Sequence, residues 1–201
     1  MRQSDTFDLK TFLAEGQLEK NLKEFEEEGS PEEKAFDTEF MSVANGIASA
    51  LGKELKAKQG DSKEPLEEGV ITGTIALVLT SNAIVGFISK WTAKLMKKLN
   101  WKKGEDIAEK IHHWAHDNEQ AFQQPIKRVL GFFIKDPAKL DLTVKAIYAI
   151  VVGGMAAGYG AHAVEALGKA DWFKGALGAL KTVAKSDEAI ANAFPAIKSF
   201  I

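Results

Sequence analysis

Two long segments that lack Asp, Glu, Lys and Arg constrain the fold of this 201-residue chain more than any other feature. One covers 21 residues, 69–89, and the other covers 19 residues, 146–164. A helix rises about 1.5 Å per residue, so either segment would span roughly the 30 Å hydrocarbon layer of a bilayer. Ten positions of the first segment are large aliphatic residues or Phe, which together favour insertion by about 3 to 6 kcal/mol. The sequence therefore predicts two apolar helices that pair as a transmembrane hairpin.

The second segment carries small residues along one helical face. Gly154 and Gly158 are four positions apart, and such a pair lets the backbone of another helix approach closely. Gly153, Ala157 and Ala161 lie nearby, so these five residues are predicted to pack membrane helices together. The first segment and a second copy of the chain are both suitable partners. We therefore expect a homo-oligomer or a larger assembly.

Helical periodicity continues outside these segments, and no hairpin signature is present. The fold class is therefore predicted as all-α, with amphipathic helices around the two apolar ones. Ser30 and Pro31 form a cap and a first helical position, which predicts a helix start. The apolar stripe of that helix consists of Phe36, Phe40, Val43, Ile47, Leu51 and Leu55. Asp136 and Pro137 likewise start a helix, which is predicted to run through the second segment to Gly168.

Charge is divided unevenly along the chain. Residues 1–68 hold 9 Lys and Arg against 17 Asp and Glu, a net of −8, whereas residues 69–145 hold 12 against 7, a net of +5. The polar, Gly-containing stretch before the first apolar segment is typical of a connector. We therefore predict an acidic amphipathic helical region at 1–58, a linker at 59–68, and a helical membrane-type region at 69–201.

A run of six lysines without an intervening carboxylate follows the first segment. The run consists of Lys90, Lys94, Lys97, Lys98, Lys102 and Lys103. Lysines in this position favour an anionic surface, and Trp91 lies where interfacial aromatic residues gather. Contact with anionic lipid headgroups is therefore predicted for the run. Nucleic acid is not expected as a partner, because the acidic first third would repel phosphate and no nucleic-acid motif accompanies the lysines.

Three of the four histidines in the chain, His112, His113 and His116, share one face of a predicted helix with Glu109. Below about pH 6.5 these histidines would gain positive charge, which predicts a pH-sensing contact with anionic lipid. His112 and His116 are also spaced to share a metal ion, but a complete site needs another ligand, and the HExxH arrangement is missing. We therefore predict no metal and no other cofactor. No enzymatic activity is predicted either, because no nucleophile–base pair or phosphate loop stands out.

The N-terminal residues 7–16, FDLKTFLAEG, resemble leader peptides on head proteins of T-even-type phages, notably those of marine viruses. In that family a short amphipathic leader resembles a targeting tag for the immature head, and the head protease cuts after Glu in Leu/Ile-x-Glu before a small residue. Leu13, Ala14, Glu15 and Gly16 match this rule. The resemblance implies a virion component, and a packaged protein can be delivered to a host membrane from outside.

Two classes of function follow from these patterns. The first is a membrane-inserting helical protein, such as a channel, a permeabilising factor or an injected virion component, located in a membrane. The second is a soluble structural or partner-binding protein, such as a virion component, that buries the same apolar helices as its core. A protein that switches between a soluble and an inserted form combines the two.

Overall fold

The computed structural model describes residues 31–98, 115–184 and 187–200, and the regular elements in these ranges are all helical. This confirms the all-α prediction for the described part of the chain. The helices are α1 Pro31–Gln59, α2 Glu68–Thr80, α3 Asn82–Lys98, α4 Glu119–Leu130, α5 Pro137–Tyr159, α6 Ala161–Lys169, α7 Asp171–Ala184 and α8 Asp187–Ala193. A short 3-10 helix, Pro195–Phe200, follows α8.

Helix α1 begins at Pro31, where its cap signal predicts a start. Its apolar stripe is confirmed from Phe40 to Leu55, since the five stripe residues in this part are at most 2% exposed. α1 packs on α2, α3 and α4. One continuous core therefore joins α1 to the helices that follow the connector at residues 60–67.

Helix α5 lies at the centre of the bundle. Asp136 caps its first turn, because the side chain accepts hydrogen bonds from the backbone N–H groups of Ala138 and Lys139 at 2.9 and 3.3 Å. α5 contacts α3, α4, α6, α7 and the 3-10 helix, and most residues from Val144 to Ala156 are buried. The second apolar segment thus supplies the core helix of this structure.

The prediction of one helix running to Gly168 is wrong. α5 ends at Tyr159 and α6 starts at Ala161. Between them Gly160 has φ +104° and ψ −176°, a backbone conformation that only glycine adopts without strain. His162 consequently lies on α6, where it is exposed, instead of on the central helix.

Replacing Gly160 with alanine should destabilise the fold by about 1 to 3 kcal/mol, because a β-carbon is strained at this φ. Gly154→Ala is the matched control: it lies inside α5, and an added β-carbon would meet no atom within 4 Å. The control should stabilise the protein by about 0.5 to 1 kcal/mol, since alanine restricts the unfolded chain. Urea unfolding followed by circular dichroism measures both effects, and equal midpoints for the two variants would contradict the described break.

The first apolar segment is also not one straight helix. α2 ends at Thr80, α3 starts at Asn82, and the two helices are bent by 51°. The backbone of Ser81 between them is extended. Its Oγ donates to the carbonyl of Val78 at 2.7 Å and accepts from the N–H of Ile84 at 3.4 Å. Ser81 therefore closes α2 and caps α3, which stabilises the bend.

A column of aromatic rings crosses the core and joins six helical elements. In order, its members are Trp91, Phe40, Phe122, Tyr148, Trp172, Phe173 and Phe200, with neighbouring ring centroids 4.7 to 5.9 Å apart. The Tyr148 hydroxyl donates to the carbonyl of Ala115, so this buried polar group is satisfied. Trp91 is 4% exposed. The prediction that it lies at a membrane interface is therefore wrong for this form of the protein, because its ring packs in the core against Phe40.

Candidate membrane-contact surface

Three large apolar side chains stand out as exposed in the described ranges, and they surround the bend between α2 and α3. Leu77 on α2 is 54% exposed, and Val85 and Phe87 on α3 are 47 and 43% exposed. We name residues 77–87 the apolar corner. Apolar side chains that cluster on a surface are typical of sites that bind a protein or a membrane.

The beginning of α3 exposes most of its side chains. Its buried positions are Ile84, Trp91 and Thr92, with Ile88 partly buried, so a narrow stripe faces the protein. The exposed positions around that stripe are Asn82, Ala83, Val85, Gly86, Phe87, Ser89 and Lys90. Because no Asp, Glu, Lys or Arg occurs from residue 69 to residue 89, the corner can leave water without dehydrating a charged side chain.

Hydroxyl groups at the bend donate to the backbone. Thr80 Oγ1 donates to the carbonyl of Ala76 at 2.8 Å, and Ser81 Oγ donates to that of Val78 at 2.7 Å. The carbonyl of Ser81 in turn accepts from the N–H of Val85 at 2.9 Å. These polar groups therefore have partners within the chain, which lowers the cost of moving the corner into a nonpolar phase.

The predicted lysine run begins directly after the apolar corner. Lys90 is exposed, and α3 continues through Lys94 and Lys97 to Lys98. The side chains of those last three residues are outside the described part of the chain, as are Lys102 and Lys103 entirely. The apolar corner and the first lysine of the run are thus neighbours on one helix.

The five small residues of the second segment face different surroundings. Gly153 is buried, Gly154 and Ala157 are partly buried, and Gly158 and Ala161 are exposed. A β-carbon at Gly153 would lie 2.5 Å from Ile197 and 3.3 Å from Phe173, whereas one at Gly158 would lie 3.3 Å from Thr92 on α3. Gly153 therefore permits close packing against the C-terminal elements, and Gly158 permits the approach of α3 to α5.

Of the three predicted pH-sensing residues, the structure describes His116. This residue is exposed, and the centroid of its ring lies 6.4 Å from that of Trp172. His112, His113 and Glu109 are outside the described residues. Within the described ranges, no three His, Asp or Glu side chains meet in a group that could hold a metal ion. The pH-sensitive face stays a prediction.

His162 and Glu165 lie one turn apart on α6. Lys169 donates a hydrogen bond to Glu165 at 2.7 Å. This hydrogen bond lowers the pKa of the Glu165 carboxyl, and the charge of His162 contributes least among the causes of that shift. The partner that matters for Glu165 is therefore Lys169.

Among the described helices, α5 is long and apolar enough by itself to cross a membrane, over Pro137–Gly158. However, 67% of its apolar window is buried in the protein, and the core helix of a soluble protein has the same properties. α2 and α3 reach a spanning length as a pair that is bent by 51°. Length and composition alone therefore do not separate a membrane helix from a core helix here.

Comparison with known protein families, curated proteins and solved structures gives no match to this chain. The residues that resemble a phage leader, 7–16, are outside the described ranges. The phage origin stays a prediction.

Sequence reasoning missed the outward position of Leu77 and Phe87, because a segment without charges offers no polar face to identify its exposed side. One local signal for the bend is available in the sequence. Thr80, Ser81 and Asn82 are consecutive polar residues inside the apolar segment, and Ser and Asn favour helix caps over helix interiors.

Proposed function

We propose that this chain is a membrane-inserting helical protein that reaches the bilayer as a water-soluble bundle and touches it first with the apolar corner. The observation that carries this proposal is the exposure of Leu77, Val85 and Phe87 on a segment of 21 residues without a charged side chain. The free energy of the system falls when lipid replaces water around exposed apolar groups. The proposed partner is therefore a lipid membrane.

The expected free energies support membrane contact. Leu77, Val85 and Phe87 are each about half exposed, so covering them contributes about half of the 1.5 to 3 kcal/mol for full burial of each, or about 3 kcal/mol in total. Lysines near an anionic membrane surface add about 1 kcal/mol each. Lys90 is exposed directly after the apolar corner, and the lysines that follow it in the sequence would add to this attraction. Apolar contact and electrostatic attraction act together in proteins that bind membrane surfaces.

Insertion would follow this first contact. Residues 69–89 and 146–164 would then lie in lipid as a helical hairpin, with their backbone hydrogen bonds kept inside the helices. Because α2 and α3 pack on α1, and α4 and α7 pack on α5, these contacts have to open and be replaced by lipid. Gly158 already brings α5 close to α3, and the neighbouring small residues would let α5 pair with α3 or with a second copy. The leader-like N-terminus supports a specific route to the membrane. On this route the protein is a virion component that is delivered to a host membrane from outside.

A soluble structural or partner-binding protein is the second candidate function. The burial of α5 favours it, because 67% of the apolar window of this helix is covered by the protein itself. In that case the apolar corner would bind another protein, and the bundle would never open.

Liposome flotation of the purified full-length chain distinguishes the two candidates. The wild type should float with vesicles of phosphatidylcholine and phosphatidylglycerol. The combined variant Leu77→Ser, Val85→Ser and Phe87→Ser should lower the partition coefficient roughly a hundredfold, which corresponds to about 3 kcal/mol. The three side chains are exposed, so their replacement should leave the circular dichroism spectrum and the unfolding midpoint nearly unchanged.

The matched control replaces two exposed alanines outside the apolar corner and outside both apolar segments, Ala57 and Ala138, with serine, and it should float like the wild type. Alkaline carbonate treatment of the floated vesicles then tests insertion, because inserted protein stays with the lipid and surface-bound protein is released. Failure of the wild type to float would contradict membrane contact and favour the soluble role. Flotation followed by complete release in carbonate would contradict insertion.

A further inference from the structure

A cavity of about 530 Å³ lies between α2, the beginning of α5 and the end of α7. Its apolar wall includes Ile71 and Ile75 from α2, Phe133, Leu142 from α5 and Val183 from α7. The main packing partners of α2 are α1 and α3, which leaves this space on the side of α2 that faces α5. The volume falls within the roughly 300 to 1,000 Å³ of pockets that bind small molecules.

Among the described residues of the cavity wall, the threonine hydroxyls have no proton left to donate to a ligand. Thr72, Thr143 and Thr182 each donate a hydrogen bond to the backbone carbonyl four residues earlier, at 3.0, 2.8 and 2.9 Å. The inner wall therefore presents mainly methyl and methylene groups. Such a wall suits a hydrocarbon chain, whereas a sugar or a nucleotide would lose hydrogen bonds to water without replacing them.

Charged groups stand at the rim, and most of them are already paired. Lys139 forms an ion pair with Glu68 at 3.2 Å, and the Asp136 carboxylate accepts hydrogen bonds from the first turn of α5. Lys135 differs, because its ammonium group donates to a neutral group, the carbonyl of Gly131, at 3.3 Å. Among the described residues, no carboxylate lies within ion-pair distance of Lys135. A ligand with a negative head group would therefore meet a cation without a carboxylate partner in the described part of the chain.

We propose that this cavity binds one long-chain fatty carboxylate, with the hydrocarbon chain between α2 and α5 and the carboxylate at Lys135. An apolar wall and a cation at its edge match the two parts of this molecule. The site is separate from the apolar corner, since Ile75 lines the cavity while Leu77, on the same helix, is exposed. The inference goes beyond the proposed membrane function and does not depend on it.

Calorimetric titration of the full-length protein with laurate and with lauryl alcohol, below micelle formation and without vesicles, tests the carboxylate contact. Laurate should bind about tenfold more tightly than the alcohol, because a charge-assisted hydrogen bond forms with one ligand and not with the other. Lys135→Met should abolish this difference while leaving binding of the alcohol unchanged. Lys53→Met, at an exposed position of α1, is the control and should keep the difference. Equal loss in both lysine variants would overturn the assignment of Lys135.

Filling the cavity tests its location. Ile75→Trp and Leu142→Trp place an indole in the cavity from opposite walls, and each should weaken laurate binding at least about tenfold. Leu77→Trp, on the exposed side of α2, should bind like the wild type. Circular dichroism and thermal melting show whether either tryptophan variant fails to fold. If one does, the other is used for the binding measurement.

Two results would overturn the site: no laurate binding by the wild type, or undiminished binding by folded variants with a filled cavity. The variant that lacks Leu77, Val85 and Phe87 at the apolar corner should still bind laurate. The laurate titration and the flotation experiment can therefore fail independently.

Discussion

Replacing Phe122 with alanine should lower the free energy of unfolding by about 3 to 5 kcal/mol. Phe122 is fully buried, and its ring centroid lies 4.7 Å from that of Phe40 on α1 and 5.2 Å from that of Tyr148 on α5. Its removal leaves a cavity where α1, α4 and α5 meet, and neither neighbouring ring can fill it without leaving its other contacts. Domains are stable by about 5 to 15 kcal/mol in total, so this single change would remove a large part of the stability.

Chemical denaturation followed by circular dichroism measures this effect, and Phe87→Ala is its matched control. The same atoms are deleted from Phe87, but that side chain is 43% exposed at the apolar corner, so the expected loss is less than about 1 kcal/mol. Similar losses for the two variants would contradict the packing of α5 inside the bundle. A large loss at Phe122 alone would establish that the water-soluble form buries α5.

This stability experiment also bears on insertion. If α5 is the core helix in water, then the inserted form requires the aromatic column to separate, and a weakened column should open more easily. Phe122→Ala should therefore not reduce membrane association. The same substitution in a purely structural protein would only raise the population of unfolded chains.

The starts of two helices could be predicted because cap signals are local. Pro31 begins α1 and Pro137 begins α5, where a cap residue followed by proline predicts each start. The buried stripe from Phe40 to Leu55 could also be predicted, since polar residues on the other face of α1 reveal which side turns inward.

The breaks inside the two apolar segments could not be predicted in the same way. An absence of charge indicates that a segment is apolar, but it does not show where a helix bends. Ser81 ends α2 in a segment that also contains several Thr residues, and Gly160 ends α5 in a segment that also contains Gly153, Gly154 and Gly158. Gly160 has the positive φ, and no local pattern distinguishes it from the other glycines of this segment.

The cavity and the position of Trp91 depend on contacts between distant parts of the sequence. Glu68 and Lys139, which pair at the rim of the cavity, are 71 positions apart. The ring of Trp91 on α3 packs against the ring of Phe40, which lies on α1. No local sequence pattern indicates such contacts. The prediction that Trp91 lies at a membrane surface used only its neighbours in the sequence, and it was therefore wrong.

Replacing Lys90, Lys94, Lys97 and Lys98 with glutamine should reduce binding to anionic vesicles roughly a thousandfold at low ionic strength. Each lysine near an anionic surface contributes about 1 kcal/mol, so four of them contribute about 4 kcal/mol. Binding to vesicles of phosphatidylcholine alone should change little, because the apolar corner remains intact. Added salt should weaken the wild type more than the variant, since counter-ions screen the lysines that the variant lacks.

The control variant has the same change of net charge, but the replaced lysines lie away from α3. Lys53, Lys56, Lys58 and Lys63 are exposed on α1 and in the connector after it, and their replacement with glutamine should leave vesicle binding near the wild-type value. If both quadruple variants lose binding equally, then net charge and not the lysines next to the apolar corner drives association, and the proposed contact is wrong. If only the first variant loses binding, and only on anionic vesicles, then α3 supplies both the apolar and the electrostatic part of the contact. The direction of approach follows from that result, because the apolar corner and the lysines then have to face the same bilayer.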